Sequence, residues 1–501
     1  MSWRLSPPVV IRFLAWKGTI GMFKKLLVAN RGEIAIRIMR AAEELGIKTV
    51  AIYEETDRFA MHIMRADEAV CIGPGPRKDY LDIDKIIQVA KKVGAEAIHP
   101  GYGFLSENPE FPKRCREAGL IFVGPPSDVI WNMSSKVIAR KIMESVGIPL
   151  IPGSGVLPEG EEGEQKALEF ARQHGFPIMV KAVSGGGGRG IRAVYSEDEL
   201  IKALNIARSE AKLAFGNPEI YLEKGLRKPR HVEVQILADS YGSIIHLGTR
   251  NCSIQRRHQK LIEIAPAMLP PLVEERVCEA AVRAAKAANY VNAGTVEFLV
   301  DEENQYYFLE VNTRIQVEHT VTEMVTGFDI VREQLRIAAG ERLSIRQEDV
   351  VIRGCAIELR INAEDPQAGF IPQPGVIEVY QSPGGHGIRL DGAAYQGYEI
   401  PRFYDSLIVK LTVYGFTWEE AVDRLRRALD GFNIVGVKTT IPFYRAIVDE
   451  PDFRARRFDT SYIDSHPELL NYKVEEDPID KLARLIAEIN ARGYNPYAES
   501  P

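Results

Sequence analysis

The chain has 501 residues, 45% hydrophobic and 26% charged, with a formal net charge of −6. That is the composition of a folded globular protein, long enough for roughly three domains. The acidic balance argues against a nucleic-acid partner, and no apolar run approaches a transmembrane span, so a membrane role is not expected. Five scattered cysteines, odd in number and without a C-x-x-C pair, point to a reducing, cytoplasmic setting without disulfides or structural zinc.

Residues 1–21 are basic, contain no acid and precede a second methionine, Met22. Their apolar run is broken by Arg12 and no small-residue cleavage site follows. They read as an extension or a mis-assigned start rather than a targeting peptide. Residues 23–130 then alternate strands and helices. "KKLLVAN", "KTVAIYE", "AEAIHP" and "LIFVGP" read as strands; "RGEIAIRIMRAAEELG" and "DIDKIIQVAKKVG" read as helices. This βαβ rhythm implies a parallel sheet, whose strand-end loops carry ligands. "HPGYGFLSEN" (99–108) stands in such a place. "MSSKVIARKIMESVGIP" reads as one helix and "EGEEGEQ" (159–165) as a solvated acidic linker. About 153–225 reads as a small α/β module, 226–345 as alternating strands and helices, and 351–470 as further strands with two helices. "DPIDKLARLIAEINARGYNP" reads as an amphipathic helix near the end.

Within the small module, "FPIMVKAVSGGGGRGIRAVYS" (176–196) satisfies G-x-G-x-x-G loosely. A dinucleotide fingerprint needs a helix after the glycines, and "GIRAVYS" is strand-like instead; Walker A fails for want of Lys-Ser or Lys-Thr. The stretch is therefore a glycine-rich hairpin: either a lid whose backbone amides cradle phosphates, with Lys181 at its entry, or a mobile surface turn.

In "AGTVEFLVDEENQYYFLEVNTRIQVEH" (293–319), "TVEFLV" and "YYFLEVN" read as a hairpin. Glu297 and Glu310 can then share a face with Asn312, a hard oxygen set suited to Mg²⁺ completed by phosphates. The alternative is a solvated acidic face, which is disfavoured because both carboxylates interrupt apolar strands. Arg314 can bind a small oxyanion, and Glu318, four residues on, can take its proton; an ordinary ion pair is the plainer reading. "RNCSIQRRHQKLIEIAPA" (250–267) crowds Arg256, Arg257, His258 and Lys260, suited to phosphate or bicarbonate, or to a solvated face. Cys252 carries no activating signature and reads as structural. Lys136 and Lys181 each read as lying near a strand–loop junction. "IYLEKGL" (220–226) reads as an exposed strand able to pair with an adenine edge.

"ANRGEIAIRI", "AIHPGYGFLSEN", "KAVSGGGGRGIR", "PRHVEVQILAD", "CSIQRRHQK", "EVNTRIQVEHTVTE" and "RINAEDP" occur in that order between Met22 and about residue 465. Together these strings resemble the biotin carboxylases of the ATP-grasp superfamily. The resemblance implies an α/β fold, α+β in part. It would comprise an N-terminal Rossmann-like domain (22–135), an ATP-grasp domain (136–345) with its lid at about 153–225, a C-terminal domain (346–470) and a tail (471–501). It implies ATP-dependent carboxylation of biotin by bicarbonate through carboxyphosphate. By resemblance, Lys136, Lys181, Gly187, Gly188, Glu223, Lys224, Leu226, His231 and His258 line the ATP site, with Glu297. Glu297, Glu310 and Asn312 hold Mg²⁺ or Mn²⁺. Arg314, Gln316, the Val317 backbone and Lys260 hold bicarbonate. Glu318 is the general base, Arg360 steadies the biotin enolate, and Tyr102 is a surface for biotin. Arg37 resembles a dimer contact.

Ser134-Ser135 stands where the family usually has Gly-Asp, and Asn251 where it often has an acid. These put loop geometry, not the reaction, in question. A carbamoyl-phosphate synthase half and a silent ATP-binding scaffold are the rival readings. No Met-Lys-Met-like biotin-acceptor string occurs in the chain, so the expected partners are a separate biotin carrier protein and a carboxyltransferase, with the chain itself a homodimer. Pyruvate, acetyl-CoA and propionyl-CoA are the candidate acceptors, with a lean to pyruvate from the tail.

Overall fold

The computed structural model describes residues 21–183, 190–257 and 259–472. The N-terminal extension, the C-terminal helix expected over the tail, Gly187, Gly188 and His258 lie outside the described residues.

Strands β1 (Lys25–Val28), β2 (Lys48–Glu54), β3 (Glu68–Gly73), β4 (Ala97–His99) and β5 (Ile121–Phe122) form a parallel sheet in the order β3-β2-β1-β4-β5. β3 goes beyond the strands read from sequence. It is an edge strand and, despite the apolar residues Ala69–Ile72, largely solvent-facing. The order reverses between β1 and β4, and loops open a crevice at such a point. Asn30, after β1, donates its amide to the carbonyls of Pro100 and Tyr102 after β4, at 2.7 and 2.8 Å, and so ties the two loops together.

The single helix expected around residue 136 is two, Ser127–Ser134 and Lys136–Ser145, broken at Ser135. The Ser135 hydroxyl caps the second by accepting from the Ile138 amide. Lys136 therefore opens a helix and is not at a strand–loop junction. The acidic 159–165 stretch is not a linker either. Its helix runs Glu161–His174, with Glu161, Glu162 and Glu164 in the first turn, where the helix dipole favours carboxylates.

Strands β6 (Gly153–Val156), β7 (Ile178–Ala182), β8 (Ile191–Val194) and β9 (Ile220–Lys224) make an antiparallel sheet, order β6-β9-β7-β8. It packs on helices Glu161–His174 and Glu197–Phe215 with an apolar core of its own. β9 is not the exposed strand expected. It lies between β6 and β7, and the amides of Lys224 and Gly225 donate to Pro152 and Pro177.

The largest sheet is antiparallel and has eight strands. They are β10 (Arg230–Ala238), β11 (Ile244–Arg256), β12 (Gln259–Ala265), β13 (Asn292–Val300), β14 (Tyr306–Asn312), β15 (Cys355–Asn362), β16 (Ile388–Gly392) and β17 (Leu407–Gly415). Their order is β14-β13-β10-β11-β12-β15-β17-β16. The sheet runs unbroken across residue 345, because β12 pairs with β15, Ile262 opposite Leu359. Alternation decides its faces. Val232, Val234, Ile236, Val296 and Phe298 pack on helix Pro271–Ala287. Ile357, Leu359, Ile361, Val409, Leu411 and Val413 join the core around helices Trp418–Asp430 and Ile441–Asp449. The residues between them in sequence are His231, Glu233, Gln235, Thr295, Glu297, Glu358, Arg360, Lys410 and Thr412. They face the other way, and all but the half-buried Arg360 are buried.

Candidate active site

A cleft of ≈ 1290 Å³ opens between the parallel sheet, the four-stranded sheet of the expected lid and the polar face of the large sheet. Lys136, Lys181, Glu223, Lys224, Leu226, His231, Lys260, Glu297, Glu310, Asn312, Arg314, Gln316, Val317, Glu318, Arg360 and Tyr102 all line it. Residues far apart in sequence thus converge on one cleft.

At its centre is Lys260. Its ammonium reaches Glu297 at 3.0 Å and Glu318 at 2.7 Å, and it also bonds Glu233. Burial is the largest influence on Lys260 and would drive its proton off, but the three carboxylates outweigh it and raise its pKa well above normal. Glu318 stands just before helix His319–Thr326, at the positive end of its dipole. Its other oxygen accepts from Arg360 at 3.1 Å, and Arg360 also donates to Glu263 at 2.7 Å. Burial would raise Glu318, yet Lys260, Arg360 and Arg250 together hold it well below the usual carboxylate range. Glu263 behaves oppositely. Burial and the Glu318 charge push it up to about 7, against the pull of Arg360.

Glu297 and Glu310 sit directly opposite each other on β13 and β14. Glu297 accepts from Asn312 and Gln316 at 2.8 Å and from His231 at 2.7 Å. Despite burial, Lys260 and His231 hold its carboxyl well below normal. Glu310 projects into the cleft, and the surrounding protein and the Glu297 charge push it up. Like charges opposed across a strand pair repel. A hard divalent cation between them removes that repulsion, so this donor set fits Mg²⁺. Arg314 is held by Glu107 and by the Asn312 amide oxygen, both at 3.0 Å.

At the lid end, Lys181 bonds Glu223, whose other oxygen accepts from Arg140 at 3.1 Å. Lys224 donates to the carbonyls of Gly175 and Phe176, at 3.0 and 2.9 Å. At the opposite end the Tyr102 hydroxyl bonds Glu33. Arg37 lies outside the cleft, buried, with its guanidinium on Glu323 at 2.9 Å and Asp329 at 2.6 Å of the same chain. Cys252 is buried, and burial and the Glu233 charge raise its thiol well above normal, which makes it inert. All five cysteines are unpaired. Asn251 is satisfied locally, accepting from the Ser253 amide at 2.9 Å.

Sequence reasoning missed Glu233, Arg250, Glu263, Glu33 and Lys410. Arg250 is fully buried and donates to Glu233 (3.1 Å), Gln235 (2.8 Å), Thr295 and Thr322 (both 3.1 Å), and also to Gln316. It braces the strand face from which Lys260 and Glu297 project. The available signal, for Glu233, was a polar or charged residue at every second position of "HVEVQ".

Comparison with known families gives three consecutive matches. Residues 22–130 match the biotin carboxylase N-terminal domain, 135–346 the ATP-binding domain of the carbamoyl-phosphate synthase L chain, and 358–465 the biotin carboxylase C-terminal domain. Biotin carboxylase 1 of Bacillus subtilis is 52% identical over 89% of this chain and 99% of its own. A pyruvate carboxylase subunit from Methanothermobacter thermautotrophicus is 53% identical over 89% of this chain and 90% of its own. One solved structure is the biotin carboxylase domain dimer of Hydrogenobacter thermophilus 2-oxoglutarate carboxylase, in complex with MgADP, ADP and bicarbonate. It is similar with a TM-score of 0.86 at 51% identity, covering 91% of this chain and 100% of that one. The ATP-binding match alone would leave a carbamoyl-phosphate synthase open, but the domains on both sides of it and half-identity over nearly whole relatives do not: the chain belongs to the biotin carboxylase family.

Proposed function

We propose that the chain carboxylates carrier-bound biotin, using ATP and bicarbonate and releasing ADP and phosphate. The observation that carries this is Glu318, held between Lys260 and Arg360 in the same cleft as the opposed Glu297–Glu310 pair. We assign the division into 22–135, 136–345 with the lid at about 153–225, and 346–470 on the same reading.

Lys136, Lys181, Lys224, Leu226, Glu223 and His231, with Gly187, Gly188 and His258, bind ATP. Glu297, Glu310 and Asn312 hold Mg²⁺, which neutralises phosphate charge. Arg314, Gln316, the Val317 amide and Lys260 take bicarbonate. As that anion draws Lys260 away from Glu318, the carboxylate's proton affinity rises from its depressed value and it becomes a competent base. Glu318 then removes the bicarbonate proton while a bicarbonate oxygen attacks the γ-phosphorus. The products are ADP and carboxyphosphate, whose breakdown delivers CO₂ and phosphate beside biotin; the phosphate takes the ureido N–H proton as that nitrogen attacks CO₂. Biotin lies against Tyr102, and Arg360 stabilises negative charge growing on the ureido oxygen. Closure over the site keeps water from carboxyphosphate.

The biotin carrier and the carboxyltransferase are separate chains on this reading, and the chain is a homodimer, as the Hydrogenobacter relative is. The relatives include both a pyruvate and a 2-oxoglutarate carboxylase component. The acceptor, pyruvate, 2-oxoglutarate or an acyl-CoA, is therefore chosen by the partner. Five unpaired cysteines suit a cytoplasmic setting, and among the described residues no helix is long and apolar enough to cross a membrane. ATP hydrolysis by the purified chain should require bicarbonate and rise with free biotin. An equal rate in bicarbonate-free buffer would overturn the reading.

A further inference from the structure

Lys410 is a cation that this chemistry does not use. It lies in β17 with no exposed surface. Its ammonium donates to the Val317 carbonyl at 2.8 Å and stands 3.1 Å from Glu33. The same Glu33 oxygen accepts the Tyr102 hydroxyl. Burial disfavours the charge on Lys410, but Glu33, Glu358 and Asp391 outweigh it, so the ammonium stays protonated. One buried group thus joins the first helix of the parallel-sheet region, the turn before Glu318 and the far side of the large sheet.

An apolar side chain of similar length would fill the space without the cost of burying a charge, so packing alone does not explain a lysine here. The carbonyl it holds belongs to the peptide that leads into Glu318. Fixing that peptide plane fixes the direction in which the Glu318 side chain leaves the backbone, toward Lys260 at 2.7 Å and Arg360 at 3.1 Å. We infer that Lys410 is a positioning residue: it clamps the Val317–Glu318 peptide and, through Glu33, the Tyr102 hydroxyl, so that the proton-accepting carboxylate and the biotin-facing tyrosine are held in one register. The inference rests on the proposed function of Glu318 and Tyr102.

Lys410→Met alone strands the Glu33 carboxylate, so the informative variant is the pair K410M/E33Q, checked for folding by thermal unfolding. Its kcat for bicarbonate-dependent, biotin-stimulated ATP hydrolysis should fall about 10²-fold, the scale of a displaced catalytic group, with KM for ATP unchanged. Adding E318Q to the pair should cost no more than E318Q alone, because Lys410 acts through Glu318. A folded pair with wild-type kcat, or a loss that multiplies fully with E318Q, overturns the inference. Lys410→Arg keeps the buried charge but presents a larger head to the same two acceptors. It supplies the same cycle if the pair does not fold: a lowered kcat that does not multiply with E318Q supports the clamp, and a fully multiplicative one overturns it. E318Q with wild-type turnover would instead remove Glu318 as the base, whatever Lys410 does.

Discussion

Glu318 is held toward its ionised form by Lys260, Arg360 and Arg250, and that is both its competence and its limit. It is ready to accept a proton but weakly basic until a substrate anion competes for Lys260. Replacing it with glutamine keeps the shape and removes the base, so turnover should fall by about 10²–10⁴-fold with ATP binding preserved. Single-turnover carboxylation measured beside nucleotide binding checks this, and near-normal carboxylation would give the proton to another group. Arg360 is linked to the same carboxylate and, on the proposed function, acts later. Arg360→Gln should slow carboxybiotin formation by about 2.7–4 kcal/mol if it serves as an oxyanion donor. Labelled bicarbonate incorporated into free biotin reads that step directly, and unchanged incorporation would take Arg360 out of the reaction.

Among the elements, the four-stranded sheet of the expected lid is the one whose proposed role depends on movement. It has its own apolar core, and β7 brings Lys181 to the edge of the cleft. If the glycine stretch between β7 and β8 closes on phosphates, an ATP analogue should add hydrogen-exchange protection at 178–194. No change there on binding would return the hairpin to an ordinary surface turn. The two strands flanking the glycine stretch were legible in "IMVKA" and "IRAV". The place of β9 was not, because a strand of five residues reads alike at an edge or in the middle, and only pairing partners distinguish the two. The acidic helix start at Glu161 was missed for a related reason. A run of glutamates suits a solvated loop and a helix first turn equally well.

For the whole molecule, the organising feature is a sheet polar on one face and yet buried on it. Its charges are sealed by the 312–326 segment and the parallel-sheet region rather than by solvent. A neutral histidine buried beside the parallel sheet should make the fold acid-sensitive. His62 is fully buried, with one ring nitrogen 3.3 Å from the Ile52 carbonyl, and burial lowers its pKa to about 4. A folded value below the unfolded one of about 6.5 means the neutral ring contributes stability above that pH, and the contribution is lost as pH falls through the folded value. The unfolding temperature of the wild type should therefore fall relative to His62→Leu between pH 6.5 and 4, where the leucine has nothing to protonate. A constant difference across that window would show that His62 does not titrate between the two states.

By itself the sequence determined the parallel βαβ start, the glycine hairpin, the Glu297–Glu310–Asn312 face and the ordered strings that mark the family. Each depends on local period, turn chemistry or short-range spacing, which a chain carries in one dimension. Only the tertiary structure decided that Lys260 sits among three carboxylates, that Arg250 braces them, and that Lys410 ties Val317 to Glu33. Alternating charges on a strand look the same whether their face meets water or protein. Which of the two it meets is set by segments outside the strand, and so by packing that no local pattern encodes.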